Sequence, residues 1–136
     1  MSDKPKITDS HCHLDFPDFN DDLSEIINNA LQNGVCRMVT ICTRLKNEPL
    51  VRKISEDYKA VYYAAGNHPM SVSSEPMANF NELISLSKHP KFIAIGETGL
   101  DYHYTSETAE AQKKSLEIHI NAAQDTKLPL IIHARN

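Results

Sequence analysis

Five apolar segments at near-regular spacing constrain this chain more than any other feature. They begin near Ile7, Val35, Val61, Phe92 and Leu130, at intervals of 28, 26, 31 and 38 residues. Val35–Cys42 (VCRMVTIC), Ala60–Gly66 (AVYYAAG), Phe92–Glu97 (FIAIGE) and Leu130–His133 (LIIH) are mostly apolar, as strands buried on both faces should be. Each interval leaves room for one crossover helix. In the first interval Leu23, Ile26, Ile27, Ala30 and Leu31 form a single apolar stripe at helical spacing. Asn20 is its expected N-cap, Asp21 and Asp22 suit the positive helix end, and Gly34 is its stop. Leu50, Val51, Ile54 and Tyr58 mark a second helix, and Phe80, Leu83, Ile84 and Ser87 a third. A longer fourth covers Glu107–Thr126. Strict alternation of strand and helix predicts a parallel sheet in an α/β domain.

In such folds the side chains that do chemistry gather at the C-terminal ends of the strands. Here those ends carry His11 and His13, Cys42-Thr43, Asn67-His68, Glu97, and His133-x-Arg135. Four of the five therefore deliver a metal-capable or phosphate-capable group to one rim. Within Ile7–Asp15, residues i and i+2 share a face, so the His11 and His13 imidazoles converge while Cys12 turns away. Two converging neutral imidazoles are half of a divalent-metal site; the plainer alternative is a surface pair. Glu97 follows an apolar strand, where a carboxylate needs either a paired cation or a metal. His133 after Leu130-Ile131-Ile132 is either a ligand or a satisfied core histidine. Arg135 shares its face, as a phosphate clamp or as the ion-pair partner of Asp101. His68 is either a substrate contact or a turn residue set ahead of Pro69. His89, His103 and His119 read as structural, and Cys12 and Cys42 as packed thiols. No Gly-rich nucleotide loop follows the first strand, so a barrel fits better than a doubly wound sheet.

Composition narrows the partners. The formal net charge is −4, and Lys/Arg pairs such as Arg52-Lys53 and Lys113-Lys114 read as solvated helix faces. With no basic face to grip a phosphate backbone, a phosphodiester substrate would need bound metal ions to supply positive charge. The three cysteines, Cys12, Cys36 and Cys42, have no metal-binding spacing and point to a reducing, cytoplasmic setting. The stretch Met1–Lys6 lacks the apolar core of a signal peptide, and no apolar run is long enough to span a membrane.

Four motifs carry a resemblance. Asp9-Ser10-His11-Cys12-His13-Leu14-Asp15, Gly66-Asn67-His68-Pro69, Gly96-Glu97-Thr98-Gly99-Leu100-Asp101-Tyr102 and His133-Ala134-Arg135 resemble, in order, those of the TatD family of metal-dependent deoxyribonucleases. Gln112 and Leu128-Pro129 also fit. The resemblance implies a TIM-type (β/α)₈ barrel with a two-metal centre acting on phosphodiester bonds of DNA. His11 and His13 would bind one ion, Glu97 would bridge both as the catalytic carboxylate, and His133 would bind the second. His68 and Arg135 would contact substrate. Imidazoles mixed with a carboxylate, without a thiolate set, suit Mg²⁺, Mn²⁺ or Zn²⁺. Two further family ligands, a His and an Asp, come from later strands and lie outside these 136 residues. A full barrel needs roughly 250 residues. Residues 1–136 therefore read as the N-terminal portion of such a hydrolase domain, with five of its strands. The sheet edges left unpaired should then favour self-association. Two alternatives stand beside this reading. One is a hydrolase of the same barrel superfamily acting on an amide, lactone or phosphotriester, which a bridging carboxylated lysine would favour and Glu97 disfavours. The other is a non-catalytic fragment that binds metal or a partner chain.

Overall fold

Every apolar segment becomes a strand, and each strand pairs in parallel with the next in sequence. The computed structural model describes residues 4–136; Met1–Asp3, part of the stretch expected to carry no signal peptide, lie outside the described residues. The elements are β1 (Ile7–Cys12), α1 (Leu23–Gln32), β2 (Val35–Cys42), α2 (Glu48–Asp57), β3 (Val61–Ala65), α3 (Phe80–Leu86), β4 (Phe92–Asp101), α4 (Ala109–Thr126) and β5 (Leu130–Arg135). The sheet order is β1-β2-β3-β4-β5. A doubly wound sheet reverses its strand order part-way; this one never does, so it is singly wound like a barrel wall. The fold is five parallel strands of a half-barrel.

Alternation along the strands separates two apolar layers. Met38 and Val61 pack with Leu14, Ile27 of α1 and Ile54 of α2. Cys42, Tyr63, Ala65, Phe92 and Ile95 pack with Val51 of α2, Leu83 of α3 and Ala122 of α4. Val39, Ile41, Ala64 and Ala94 form a smaller cluster of strand residues alone. Among the described residues, no helix is long and apolar enough to cross a membrane.

Three element boundaries differ from expectation. Asn20 does not cap α1: Pro17–Phe19 form a 3₁₀ turn in which the Pro17 carbonyl accepts from the Asn20 N–H, and Asp22 is the N-cap. The proline favours that extra turn and moves the helix start onward. β4 continues past Glu97 to Asp101, and β5 past His133 to Arg135, because Thr98–Asp101 pairs with Ile132–Arg135. That pairing is close. A Cβ on Gly99 would lie 1.9 Å from the His133 carbonyl oxygen, and Gly99 has φ +144°, a conformation L side chains rarely adopt.

The edge strands are wet. All of β1 but half-buried Cys12 is exposed, and Ile132 of β5 is 58% exposed. Unpaired parallel edges with apolar side chains are templates for another strand. Sedimentation velocity of the 136-residue polypeptide should therefore show species larger than a monomer, with Ile132→Lys shifting the distribution toward the monomer. A purely monomeric wild-type chain at all concentrations would contradict this.

Candidate metal centre

Glu97 sits at the rim end of β4 with 8% of its surface exposed. Its two oxygens face different imidazoles: Oε2 lies 3.3 Å from His11 Nε2, and Oε1 lies 3.5 Å from His133 Nδ1 and 3.9 Å from His68 Nε2. Two groups of ligand-capable atoms result, each with its members within 4.8 Å of one another: His11, His13 and Glu97, and His68, Glu97 and His133. Glu97 belongs to both. The backbone brings them together at a close approach of glycines, for a Cβ on Gly66 would lie 2.7 Å from Gly96 Cα. The rim ends of β3 and β4 can meet there because neither residue carries a side chain.

Hydrogen bonds then decide which nitrogen each ring offers. His13 Nδ1 lies 3.1 Å from the Ile41 carbonyl, an acceptor only, so Nδ1 carries the proton and Nε2 keeps a lone pair. His133 donates from Nε2 to Asp101 Oδ2 at 2.9 Å, which leaves Nδ1, the atom nearest Glu97, with its lone pair. A carboxylate behind an imidazole is the arrangement that orients metal-binding histidines and raises their basicity. His68 is set the other way. Its Nδ1 accepts from the Met70 N–H at 3.2 Å, so the neutral ring carries its proton on Nε2 and faces Glu97 as a donor. Burial, first of all, holds His68 below the ordinary imidazole value, against the opposing pull of Glu97. His68 therefore joins the second group by position while its bonding suits a donor to substrate.

Asp101 is fully buried and accepts from the His103 and Tyr104 N–H groups, both at 3.1 Å. The Tyr104 N–H above all, with His133, holds its carboxyl below the usual carboxylate range. Arg135 is not its partner: the guanidinium lies over the Tyr104 ring, 4.8 Å from the centroid, outside both groups of ligand atoms. The backbone of Asp101 is fastened by Gln112 of α4, whose Oε1 accepts from the Asp101 N–H at 2.7 Å and whose Nε2 donates to its carbonyl at 3.0 Å. His119, seven residues on, does the same for the end of β3. Its Nδ1 donates to the Ser115 carbonyl at 2.7 Å and its Nε2 accepts from the Asn67 N–H at 3.0 Å. His89 pairs with Glu56 at 3.0 Å, and His103 lies near Asn136. Burial pushes the Cys12 and Cys42 thiols up to about 12, so neither supplies a thiolate at neutral pH.

The donor set suits a hard or borderline divalent ion. Two imidazoles are held with a lone pair free, and they face a carboxylate that no lysine or arginine neutralises among the described residues. Residues 8–136 match the family model described as TatD related DNase. The chain belongs to the TatD-related DNase family. Its relatives include an uncharacterized metal-dependent hydrolase of Buchnera aphidicola, 34% identical over 96% of this chain and 53% of the relative. The 3′-5′ ssDNA/RNA exonuclease TatD of Citrobacter koseri is 26% identical over 87% of this chain and 45% of the relative. The crystal structure of YjjV, a TatD homolog from Escherichia coli K12, superposes with a TM-score of 0.87 at 30% identity. That match covers 96% of this chain and 51% of YjjV. The chain thus spans about half the length of the curated relatives it matches.

Two measurements probe the family site's supports. Asp101→Asn keeps acceptors for the turn N–H groups but removes the charge behind His133. Calorimetric titration with Mn²⁺ should show affinity lower by about 10–100-fold; unchanged affinity would make Asp101 a turn residue only. His119 gives a pH dependence of stability. Burial lowers its value from the ordinary 6.5, so below that pH the unfolded chain takes up a proton that the folded chain refuses. The stability it supports is complete above pH 6.5 and is lost as the pH falls toward the lowered folded value. In urea unfolding, the difference between wild type and His119→Gln should be flat above pH 6.5 and turn against the wild type below it. A difference independent of pH would refute the burial argument.

Proposed function

We propose that this chain is the N-terminal portion, with five of eight strands, of a (β/α)₈-barrel hydrolase that cleaves phosphodiester bonds of DNA at a two-metal centre. The observation that carries the reading is Glu97, one enclosed carboxylate whose two oxygens face two different groups of imidazoles. His11 and His13 would hold one ion, His133 the other, and Glu97 both, with Mg²⁺, Mn²⁺ or Zn²⁺ as the candidates. Two such ions supply a water of lowered pKa and positive charge for the phosphorus oxygens. The protein's own share is positional. Ile41 and Asp101 fix the tautomers of His13 and His133 before any ion arrives. His68 directs an N–H toward the space beside Glu97, where a phosphoryl oxygen would accept it. Arg135, exposed and steadied on Tyr104, would take a more distant phosphate.

The nucleic-acid substrate is supported by the name of the Citrobacter relative; the net charge of −4 leaves phosphate binding to metal ions and a few rim cations. The three thiols are free, which supports a cytoplasmic setting. Two further ligands would come from later barrel strands, so the 136-residue polypeptide alone should bind ions weakly and turn over slowly.

Cleavage of an end-labelled single-stranded oligonucleotide tests this with Mg²⁺, Mn²⁺ or Zn²⁺, using this chain and a polypeptide extended by three more βα units. The extended form should be the faster, lose its activity with Glu97→Gln, and lose it after dialysis against chelator. Activity that survives chelator would remove the metal from the reading. No cleavage by the extended form with any of the three ions would overturn the nuclease assignment.

A further inference from the structure

Two concavities meet beside the candidate centre. The first, of about 280 Å³, contains Glu97 and is lined also by His13, Phe16, Thr43, Arg44 and His68. The second, of about 510 Å³, is lined by Asp15, Phe16, Asn20, Thr43, Arg44 and Asn47. Phe16, Thr43 and Arg44 belong to both, so they form the sill over which the metal pocket opens into the larger groove. All of these groove residues come from the loops after β1 and β2, both complete in this chain.

Two side chains of the groove stand out. Phe16 is an aromatic left 44% exposed at the rim, its ring stacked on His13 at 4.7 Å and 12°. His13 covers one face of that ring, and Phe16 lines both concavities. Arg44 and Lys46 both approach one enclosed carboxylate oxygen, Glu75 Oε1, at 3.5 and 3.0 Å, and the Arg44 side chain stays 48% exposed. A ring to stack on and a cation beside the candidate metal centre match a base and a phosphate.

We propose that this groove is a nucleoside subsite for the nucleotide next to the scissile phosphate of a single strand. Phe16 stacks the base, and Arg44 pairs with that nucleotide's outer phosphate. The proposal rests on the nuclease reading above and adds to it the residues that recognise an unpaired base. A base held in duplex offers no free face to Phe16, so the subsite selects single strands.

Fluorescence anisotropy separates the two readings. The probes are fluorescein-labelled oligothymidylate and the same oligomer with abasic tetrahydrofuran residues in place of its nucleosides, each with Mn²⁺ and checked on gels for integrity. Wild type should bind the base-bearing oligomer more tightly. Phe16→Ala should weaken that binding about tenfold and leave abasic binding unchanged, with Phe16→Trp restoring it. Arg44→Ala should weaken both oligomers alike and lower the salt dependence by about one counterion. Equal wild-type affinity for the two oligomers, or an equal loss on both with Phe16→Ala, overturns the subsite while the nuclease reading stands. Binding of neither oligomer by the polypeptide extended by three βα units overturns both.

Discussion

The enclosed carboxylate of Glu97 is the constraint to which the rest of the rim answers. A charged group with 8% exposure carries a large desolvation cost unless something positive or strongly polar faces it. Among the described residues its ion-pair partners are imidazoles, from β1, the loop after β3, and β5. Neutral imidazoles do not balance a carboxylate; an ion held between them does. The same geometry would be a poor bargain as a purely structural ion pair, since breaking or leaving incomplete such a buried pair is costly. One oxygen toward each group lets the single carboxylate serve both sets of imidazoles.

Getting that carboxylate to the rim depends on how closely three strands approach. Gly66 and Gly96 let the ends of β3 and β4 meet, and Gly99 lets β4 run against the His133 carbonyl of β5. The consequence is that β4 does not stop at its functional residue. It carries on to Asp101, which alternation places on the side of Glu97, and so sets a buried acceptor directly behind His133. Ligand and orienting group thus come from two adjacent strands and share one stretch of ladder.

Much of this was legible in the sequence. The five strands and their order, the singly wound sheet and the gathering of His11, His13, Glu97 and His133 at one rim all follow from apolar spacing and from where the polar residues interrupt it. What could not be read were matters of partner choice. Charge alone leaves Asp101 open as a partner of Arg135, yet a hydrogen bond from His133 and two backbone N–H groups outcompete a long exposed guanidinium, which settles on Tyr104. Asn20 looked like a cap until Pro17 added a turn ahead of it. His68 could be read as turn or contact, and it is both: Nδ1 closes the turn at Met70 while Nε2 faces the centre.

His119 shows most clearly why the remainder was hidden. Hydrophobic periodicity finds the buried face of a helix only when that face is apolar. The buried stripe of α4 contains Gln112, Ser115 and His119 beside Ala122 and Ala123, so its inner face is largely polar. Burying such a face is tolerable only if its groups find partners, and Gln112 and His119 do. Gln112 fastens the end of β4 at Asp101, and His119, two turns on, fastens the end of β3 at Asn67. Each contact lies one step behind a residue of the rim, His133 in the first case and His68 in the second. A helix packed by alanines and leucines alone would hold the sheet equally well and leave both strand ends free to shift. The polar stripe therefore costs α4 apolar burial and in return fixes the two loops whose histidines face Glu97. Read as a helix face, His119 looks bland; read as a brace beside Gln112, it explains why the rim keeps its geometry before any ligand binds.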